Sequence, residues 1–157
     1  MANLINFFAY AELMNPKVME EHGLKYNAAF SVSLSAMKLV FNKTPFEEGA
    51  PPGLGLPNIV NTHNNLGMME GIVYEMDEKH LPKLDEIHRC PNEYQRKVMR
   101  FTRHDFVLIN AFTYVAREDK TSDGLRPSKA LMQKIKGAKK FLQMLYFSRI
   151  MGTPTCD

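Results

Sequence analysis

The sequence predicts an α+β fold with a largely antiparallel sheet that can close into a barrel. Five or six segments have strand-like patterns, only a few are helical, and strands and helices do not alternate strictly. No linker, internal repeat or low-complexity segment divides the 157 residues, and a chain of this length can bury a sizeable core. We therefore predict that residues 1–157 form one domain.

The chain begins with a predicted strand and a short helix. Residues 4–10 are apolar and aromatic, which is typical of a buried strand. A helix is predicted over residues 16–22, because Asn15 can cap it, Pro16 suits its first turn and Gly23 can end it.

Four further strands are predicted around one long loop. Residues 28–41 alternate in polarity and predict one continuous strand, and residues 66–76 form a strong apolar strand pattern. Residues 95–102 and 107–116 predict two more strands joined by a charged turn. Between the strands predicted over residues 28–41 and 66–76, residues 42–57 contain four prolines and three glycines, which indicates a loop.

Two helices are predicted in the second half of the chain. Asp77 can cap the first, and Pro82 indicates that its regular part begins near Leu81. Ser128 is predicted to cap a long amphipathic helix that ends near Ile150. Its apolar residues recur at helical spacing: Leu131, Ile135, Ala138, Leu142 and Leu145.

The charge pattern does not favour a nucleic-acid partner. The net charge is only +3, and no aromatic–basic motif accompanies the basic residues. Six of those residues lie in one C-terminal segment, as on a solvated helix face: Lys129, Lys134, Lys136, Lys139, Lys140 and Arg149. Nucleic-acid binding through this segment stays an alternative, and it would show a steep salt dependence.

The sequence also bears on location and on metal binding. The N-terminus lacks the pattern of a signal peptide, two cysteines do not make a disulfide framework, and no run of about 18 apolar residues could span a membrane. We expect a cytoplasmic protein with reduced thiols and no membrane partner. Its five histidines are scattered without metal-ligand spacing, so no metal site is expected.

Seven segments, in order, match a known pattern. They are residues 8–10, 58–60, 71–76, 81–85, 91–98, 111–115 and 127–138. Together they resemble the γ-glutamylcyclotransferase (AIG2-like) family, from about Phe7 to Tyr146.

This resemblance implies a small mixed barrel with a pocket at one end. Family members convert a γ-glutamyl amide or amine into 5-oxoproline and a free amine, as a transferase- or lyase-type reaction without a metal or organic cofactor. The α-amine of the substrate attacks its own γ-carbonyl. Such chemistry needs a base, donors for the oxyanion and a pocket that folds the substrate back on itself.

The sequence departs from the family at two places. The family's Tyr-Gly-Ser-Asn loop reads Tyr10-Ala11-Glu12-Leu13, which is tolerable at Ala11 only if its φ is negative. The position of the family's glutamate aligns with His88, which shares a helix face with Leu84. If Glu12 and His88 enter one pocket, we expect Glu12 to raise the pKa of His88.

These residues define the predicted site. We expect catalytic roles for His88, in place of the glutamate, and for Glu12. Substrate contacts are predicted for Tyr10, Ala11, Leu13, Tyr94 and Tyr114. Purely structural roles stay open as alternatives. His88 would then be a buried histidine satisfied by a backbone carbonyl, Glu12 would be solvated, and the tyrosines would only pack in the sheet.

Two functions follow from this pattern. The first is a γ-glutamylcyclotransferase-like enzyme acting on a γ-glutamyl-type or related small molecule, with a shifted substrate or chemistry. The alternative is a catalytically silent module that binds a small molecule or a protein on the same scaffold. A pocket shared by Glu12 and His88 favours the enzyme, and a pocket filled by Met and Phe side chains favours the silent module.

Overall fold

The computed structural model describes residues 3–63 and 67–157. Within these ranges the chain forms seven strands and four α-helices. The strands are β1 (Leu4–Ala9), β2 (Ala28–Ser35), β3 (Met37–Lys43), β4 (Leu56–Asn61), β5 (Met68–Asp77), β6 (Tyr94–Arg103) and β7 (Leu108–Ala116). The helices are α1 (Pro16–Glu21), α2 (Leu81–Ile87), α3 (Lys129–Lys136) and α4 (Met144–Met151).

Five of the strands close into a barrel in the order β1-β5-β2-β6-β7. Neighbours pair antiparallel, except that β1 meets β7 in parallel at Phe7 and Phe112. Strands β3 and β4 form a separate two-stranded sheet. The predicted α+β fold with a small, mixed, largely antiparallel barrel is confirmed.

The predicted continuous strand over residues 28–41 is wrong, because the chain turns at Ala36. This residue has a φ of 63°, a left-handed conformation that interrupts a strand. Its N–H donates to the carbonyl of Gly67 and its carbonyl accepts from Thr62. The break places β2 in the barrel and β3 in the small sheet. The predicted strand over residues 66–76 is observed as β5, and Leu66 lies outside the described residues.

The predicted long C-terminal helix is also wrong, although its cap is confirmed. The Ser128 side chain accepts from the Leu131 N–H, but α3 ends at Lys136 and α4 begins seven residues after Gly137. A Cβ atom on Gly137 would lie 2.1 Å from Nδ2 of Asn15, so α1's cap residue packs directly against this position. The chain then follows the barrel in a 3₁₀ turn before α4 starts.

The short helices α1 and α2 begin as predicted. The Asn15 side chain accepts from the Lys17 N–H, and Gly23 follows α1 with a φ of 73°. Asp77 caps a 3₁₀ turn that leads into α2 at Leu81. No helix among the described residues is long and apolar enough to cross a membrane.

A close approach between β1 and β5 positions the start of the candidate site. Gly71 lies on β5, directly against the end of β1. A Cβ atom at this position would lie 2.5 Å from both the Ala9 carbonyl oxygen and the Phe8 ring. Phe8 stacks on Phe101 across the barrel interior, with ring centroids 4.2 Å apart. The end of β1, and the loop that follows it, are therefore fixed by close packing.

Candidate functional site

The candidate site lies where β1 leaves the barrel. Residues 10–11 follow β1, a 3₁₀ turn spans Glu12–Met14, and α1 begins at Pro16. Beneath this loop is a cavity of about 40 Å³, room for one or two water molecules. It is lined by Phe7, Phe8, Ala9, Tyr10, Ala11, Glu12, Leu13, Pro57, His88, Tyr94 and Thr113.

The structure brings six of the seven predicted site residues to this cavity. Tyr114 does not line it, but its ring stacks on His88 with centroids 3.9 Å apart and planes 5° from parallel. The sequence prediction missed the other five lining residues, which are Phe7, Phe8, Ala9, Pro57 and Thr113. The sequence did offer a signal for Phe7 and Phe8, because both belong to the predicted strand that leads into the site loop.

His88 follows α2 and is held by hydrogen bonding and by aromatic packing. Its Nδ1 lies 2.7 Å from the Leu84 carbonyl oxygen. Because a carbonyl oxygen only accepts, Nδ1 carries the hydrogen and Nε2 is left as the acceptor of the neutral ring. The ring also meets the edges of Phe7 and Tyr94, with centroids 6.2 and 5.7 Å away.

The electrostatic surroundings of His88 differ from the sequence-based expectation. Burial is the largest effect and lowers the pKa of His88 to about 4, and the Leu84 carbonyl and Asp85 oppose it only partly. The expected rise caused by Glu12 is therefore wrong. At neutral pH the imidazole is uncharged.

Glu12 reaches the same cavity from the loop. Its Oε2 atom is buried and has no hydrogen-bond partner among the described residues. Burial is the main effect and raises the pKa of Glu12, while a contact with its own backbone N–H and the charge of Lys134 lower it in part. A buried oxygen without a partner is costly, so this side chain is poised to accept a proton or a cationic ligand group.

Three tyrosine hydroxyls fix the walls of the cavity. Tyr10 donates to the Tyr114 carbonyl at 2.7 Å, and Tyr94 donates to the Pro57 carbonyl at 2.6 Å. Tyr74 donates to the Leu13 carbonyl at 2.7 Å and so ties the loop to β5. Burial raises the pKa of all three phenols, which therefore stay neutral donors.

The loop backbone offers unused donors. Ala11 has a φ of −133°, so its methyl group causes no strain of the left-handed kind. The N–H groups of Ala11 and Leu13 have no backbone acceptor among the turn and loop hydrogen bonds of the described residues. Backbone N–H groups of this kind can hold a developing oxyanion.

A cluster of hydrogen-bonded polar side chains supports the stack of the Tyr114 ring on His88. The Tyr114 hydroxyl donates to Oδ1 of Asp85 at 2.6 Å, and Nε of Arg96 lies 3.2 Å from the same oxygen. Asp85 precedes His88 on α2, so this group fixes both sides of the stack. Arg96 was not among the residues that the sequence predicted for the site.

The described residues contain no group of three or more His, Cys, Asp or Glu side chains that could hold a metal ion.

Several solved structures of other proteins share this fold. A structure described as a γ-glutamyl cyclotransferase matches with a TM-score of 0.83 and 18 % identity, covering 99 % of this chain and 90 % of the other. An uncharacterised protein from Homo sapiens matches with a TM-score of 0.83 and 18 % identity, covering 98 % and 90 %. YkqA from Bacillus subtilis matches with a TM-score of 0.81 and 15 % identity, covering 98 % of this chain and 56 % of its own. No curated protein sequence matches significantly.

The sequence itself assigns the family. Residues 7–132 match the profile of the family described as "Gamma-glutamyl cyclotransferase, AIG2-like". The chain belongs to this family, as its resemblance predicted.

Proposed function

We propose that this protein catalyses a γ-glutamylcyclotransferase-like reaction in the cavity beneath residues 10–13. The observation that supports it is the meeting of Glu12 and His88 at one cavity, beside unused backbone donors. The α-amine of a γ-glutamyl-type substrate would attack its γ-carbonyl. The C–N bond to the leaving amine would then break, giving 5-oxoproline.

We assign the base to Glu12 rather than to His88. The attacking nitrogen must lose a proton, and a base is most effective when its pKa lies near the working pH. Burial raises the pKa of Glu12, whereas it lowers that of His88 to about 4, which makes the imidazole a poor base at neutral pH. Glu12 would take the proton from the α-ammonium and deliver it to the leaving amine.

His88 has a positioning role in this proposal. Its Nδ1–H is committed to the Leu84 carbonyl, so Nε2 would accept a hydrogen bond from the substrate's ammonium. The N–H groups of Ala11 and Leu13 would stabilise the oxyanion, and the rings of Tyr10 and Tyr94 would wall the ligand. Tyr114 would act through His88, on which it stacks.

The substrate proposed here carries at least one ammonium group. A carboxylate with an unpartnered buried oxygen favours a cation, and aromatic rings around it add attraction for an ammonium. The family's small hydroxyl at this position is replaced by a charge, so the preferred γ-glutamyl compound would differ from that of relatives with the Tyr-Gly-Ser-Asn loop.

The second candidate is a catalytically silent binding module. The size of the cavity favours it, because about 40 Å³ accommodates an ammonium group but not a whole γ-glutamyl group without movement of the loop. The two candidates differ in whether a product is formed.

The test is an assay for 5-oxoproline with a panel of γ-glutamyl amines and dipeptides. Wild type is compared with Glu12→Gln, His88→Ala and, as a matched control, Glu20→Gln, an exposed carboxylate on α1. We expect Glu12→Gln to lose about 100- to 10,000-fold in kcat/KM. Full activity of Glu12→Gln would refute the assignment of the base, and no release from any panel member would support the silent module.

A further inference from the structure

The β6–β7 hairpin presents apolar side chains to solvent at its tip. Phe106, Val107 and Leu108 are 86, 46 and 57 % exposed. Phe106 has a φ of 67°, which is unfavourable for a bulky side chain. The tip is nevertheless well fixed, because the Phe106 N–H donates to the Arg103 carbonyl and the Arg103 N–H donates to the Val107 carbonyl, both at 2.9 Å. A strained turn that exposes three apolar residues indicates a role outside the core.

The first turn of α4 forms a second apolar protrusion. Met144 and Leu145 are 79 and 83 % exposed, whereas Tyr146 and Ile150 on the other side of the helix are buried. Glu70 accepts from the Gln143 N–H at 2.9 Å and fixes the start of the helix on the barrel. Both protrusions are therefore held on rigid elements.

The two protrusions are neighbours across β2. The Ser31 hydroxyl donates to the Phe141 carbonyl, three residues before α4, at 2.8 Å. The next residue, Val32, pairs with Arg103 at the end of β6. Because β6 runs antiparallel to β2, the hairpin tip continues alongside Ser31, whose side chain contacts the chain that leads into α4.

Exposed lysines lie beside the second protrusion, in a segment that is basic throughout. Residues 126–156 contain seven of the chain's 20 Lys and Arg residues and none of its 17 Asp and Glu residues. Lys139 and Lys140 are exposed, with their ammonium groups 5.7 and 5.1 Å from the rings of Phe147 and Phe141. At the hairpin tip the one acidic residue, Asp105, is paired with Arg103.

We propose that this surface, formed by residues 104–108 and 139–145, binds anionic lipid membranes peripherally. Protruding apolar side chains can enter the boundary between headgroups and acyl chains without a complementary groove, while lysines attract anionic headgroups. This goes against the sequence-based expectation of no membrane partner. It needs no helix that spans the bilayer.

Other partners fit this surface less well. A symmetric contact with a second copy would place Lys139 and Lys140 against their own equivalents, with no acidic residue in 126–156 to pair with them. A nucleic acid would use the lysines and could stack a base on Phe106, but the aliphatic Met144 and Leu145 would find no partner on it.

The hairpin part of this surface is remote from the candidate site, whereas Lys139 lies two residues after Gly137, which packs against Asn15. Tyr94 lines the cavity at the start of β6, and Arg103 ends the same strand nine residues later, a separation of about 30 Å at about 3.3 Å per residue. Sedimentation with vesicles needs no substrate, so lipid binding can be tested independently of the proposed enzymatic function.

The experiment measures sedimentation of the full chain with vesicles of phosphatidylcholine alone or with about one-third phosphatidylserine. Two variants test the apolar part: Phe106→Asn, since Asn tolerates a positive φ, and Leu145→Gln, a good helix former. Lys139→Gln/Lys140→Gln tests the charge. Val98→Thr, at a 74 % exposed position of β6, and Lys79→Gln, an exposed lysine beside α2, are matched controls.

We expect wild type and the controls to bind the anionic vesicles and not the neutral ones. The double lysine variant should bind about thirty-fold more weakly, at about five-fold per lysine. Phe106→Asn and Leu145→Gln should each weaken binding at least several-fold while the melting temperature stays unchanged or rises. The proposal is overturned if wild type does not bind, if all variants bind equally, or if the chain binds single-stranded RNA but not vesicles.

Discussion

Gly137→Ala tests whether the contact between α1 and α3 shapes the loop of the candidate site. Gly137 has a φ of −64°, so alanine is allowed by the backbone. Its Cβ atom would, however, lie 2.1 Å from Nδ2 and 2.5 Å from Cγ of Asn15. Asn15 has two hydrogen bonds to lose: its Nδ2 donates to the Lys134 carbonyl at 2.9 Å, and its Oδ1 accepts from the Lys17 N–H at 3.0 Å.

The expected cost follows from these two bonds. Each contributes about 1 kcal/mol, and alanine recovers about 0.4–1 kcal/mol through the unfolded chain. We therefore expect Gly137→Ala to lower the free energy of unfolding by about 1–2 kcal/mol in urea titrations. In an Asn15→Ala background the clash is absent, so the same substitution should be neutral or stabilising. A neutral effect in the wild-type background, or an equal loss in both, would refute this reasoning.

Three further predictions concern the site and its support. Glu12→Gln should raise the free energy of unfolding at pH 7, because the raised pKa of Glu12 means that its ionisation favours the unfolded chain above pH ~4.5. Thermal melts of wild type and variant at pH 4 and pH 7 measure this effect. An equal melting temperature for both proteins at pH 7 would contradict it. His88 has a pKa of about 4 against about 6.5 unfolded, so it makes stability fall by up to about 3 kcal/mol as pH drops from about 6.5 towards 4; urea titrations across this range should show a shallower slope for His88→Gln. Gly71→Ala should lower the free energy of unfolding by about 1–3 kcal/mol, since its Cβ atom would lie 2.5 Å from the Ala9 carbonyl oxygen and the Phe8 ring. An unchanged urea midpoint would contradict this prediction, because it would mean that β1 can shift without loss of stability.

The barrel strands and the starts of α1, α2 and α3 could be predicted because their signals are local. Alternating or continuous apolar patterns marked the strands, and Asn15, Asp77 and Ser128 marked the turns or helices that they cap. The two errors have non-local causes. At the end of α3, Asn15, more than 100 residues away, donates to the Lys134 carbonyl, and at the break the Ala36 N–H donates to the carbonyl of Gly67.

The candidate site was predicted from the family resemblance, and its chemistry from residue types. The sequence indicated that Glu12 and His88 matter, but it could not show that the Leu84 carbonyl fixes the histidine tautomer or that burial lowers the histidine's pKa. Such effects depend on how α2 packs on the barrel. The sequence alone therefore favours His88 as the base, whereas the packing favours Glu12.

The most direct test of the proposed site is to quantify both products, 5-oxoproline and the free amine, by mass spectrometry after incubation with wild type and with folded Glu12→Gln. We predict equal amounts of the two products with wild type and at least about a 100-fold loss with the variant. Products formed equally well by both proteins, or no product from wild type, would contradict the proposed role of Glu12.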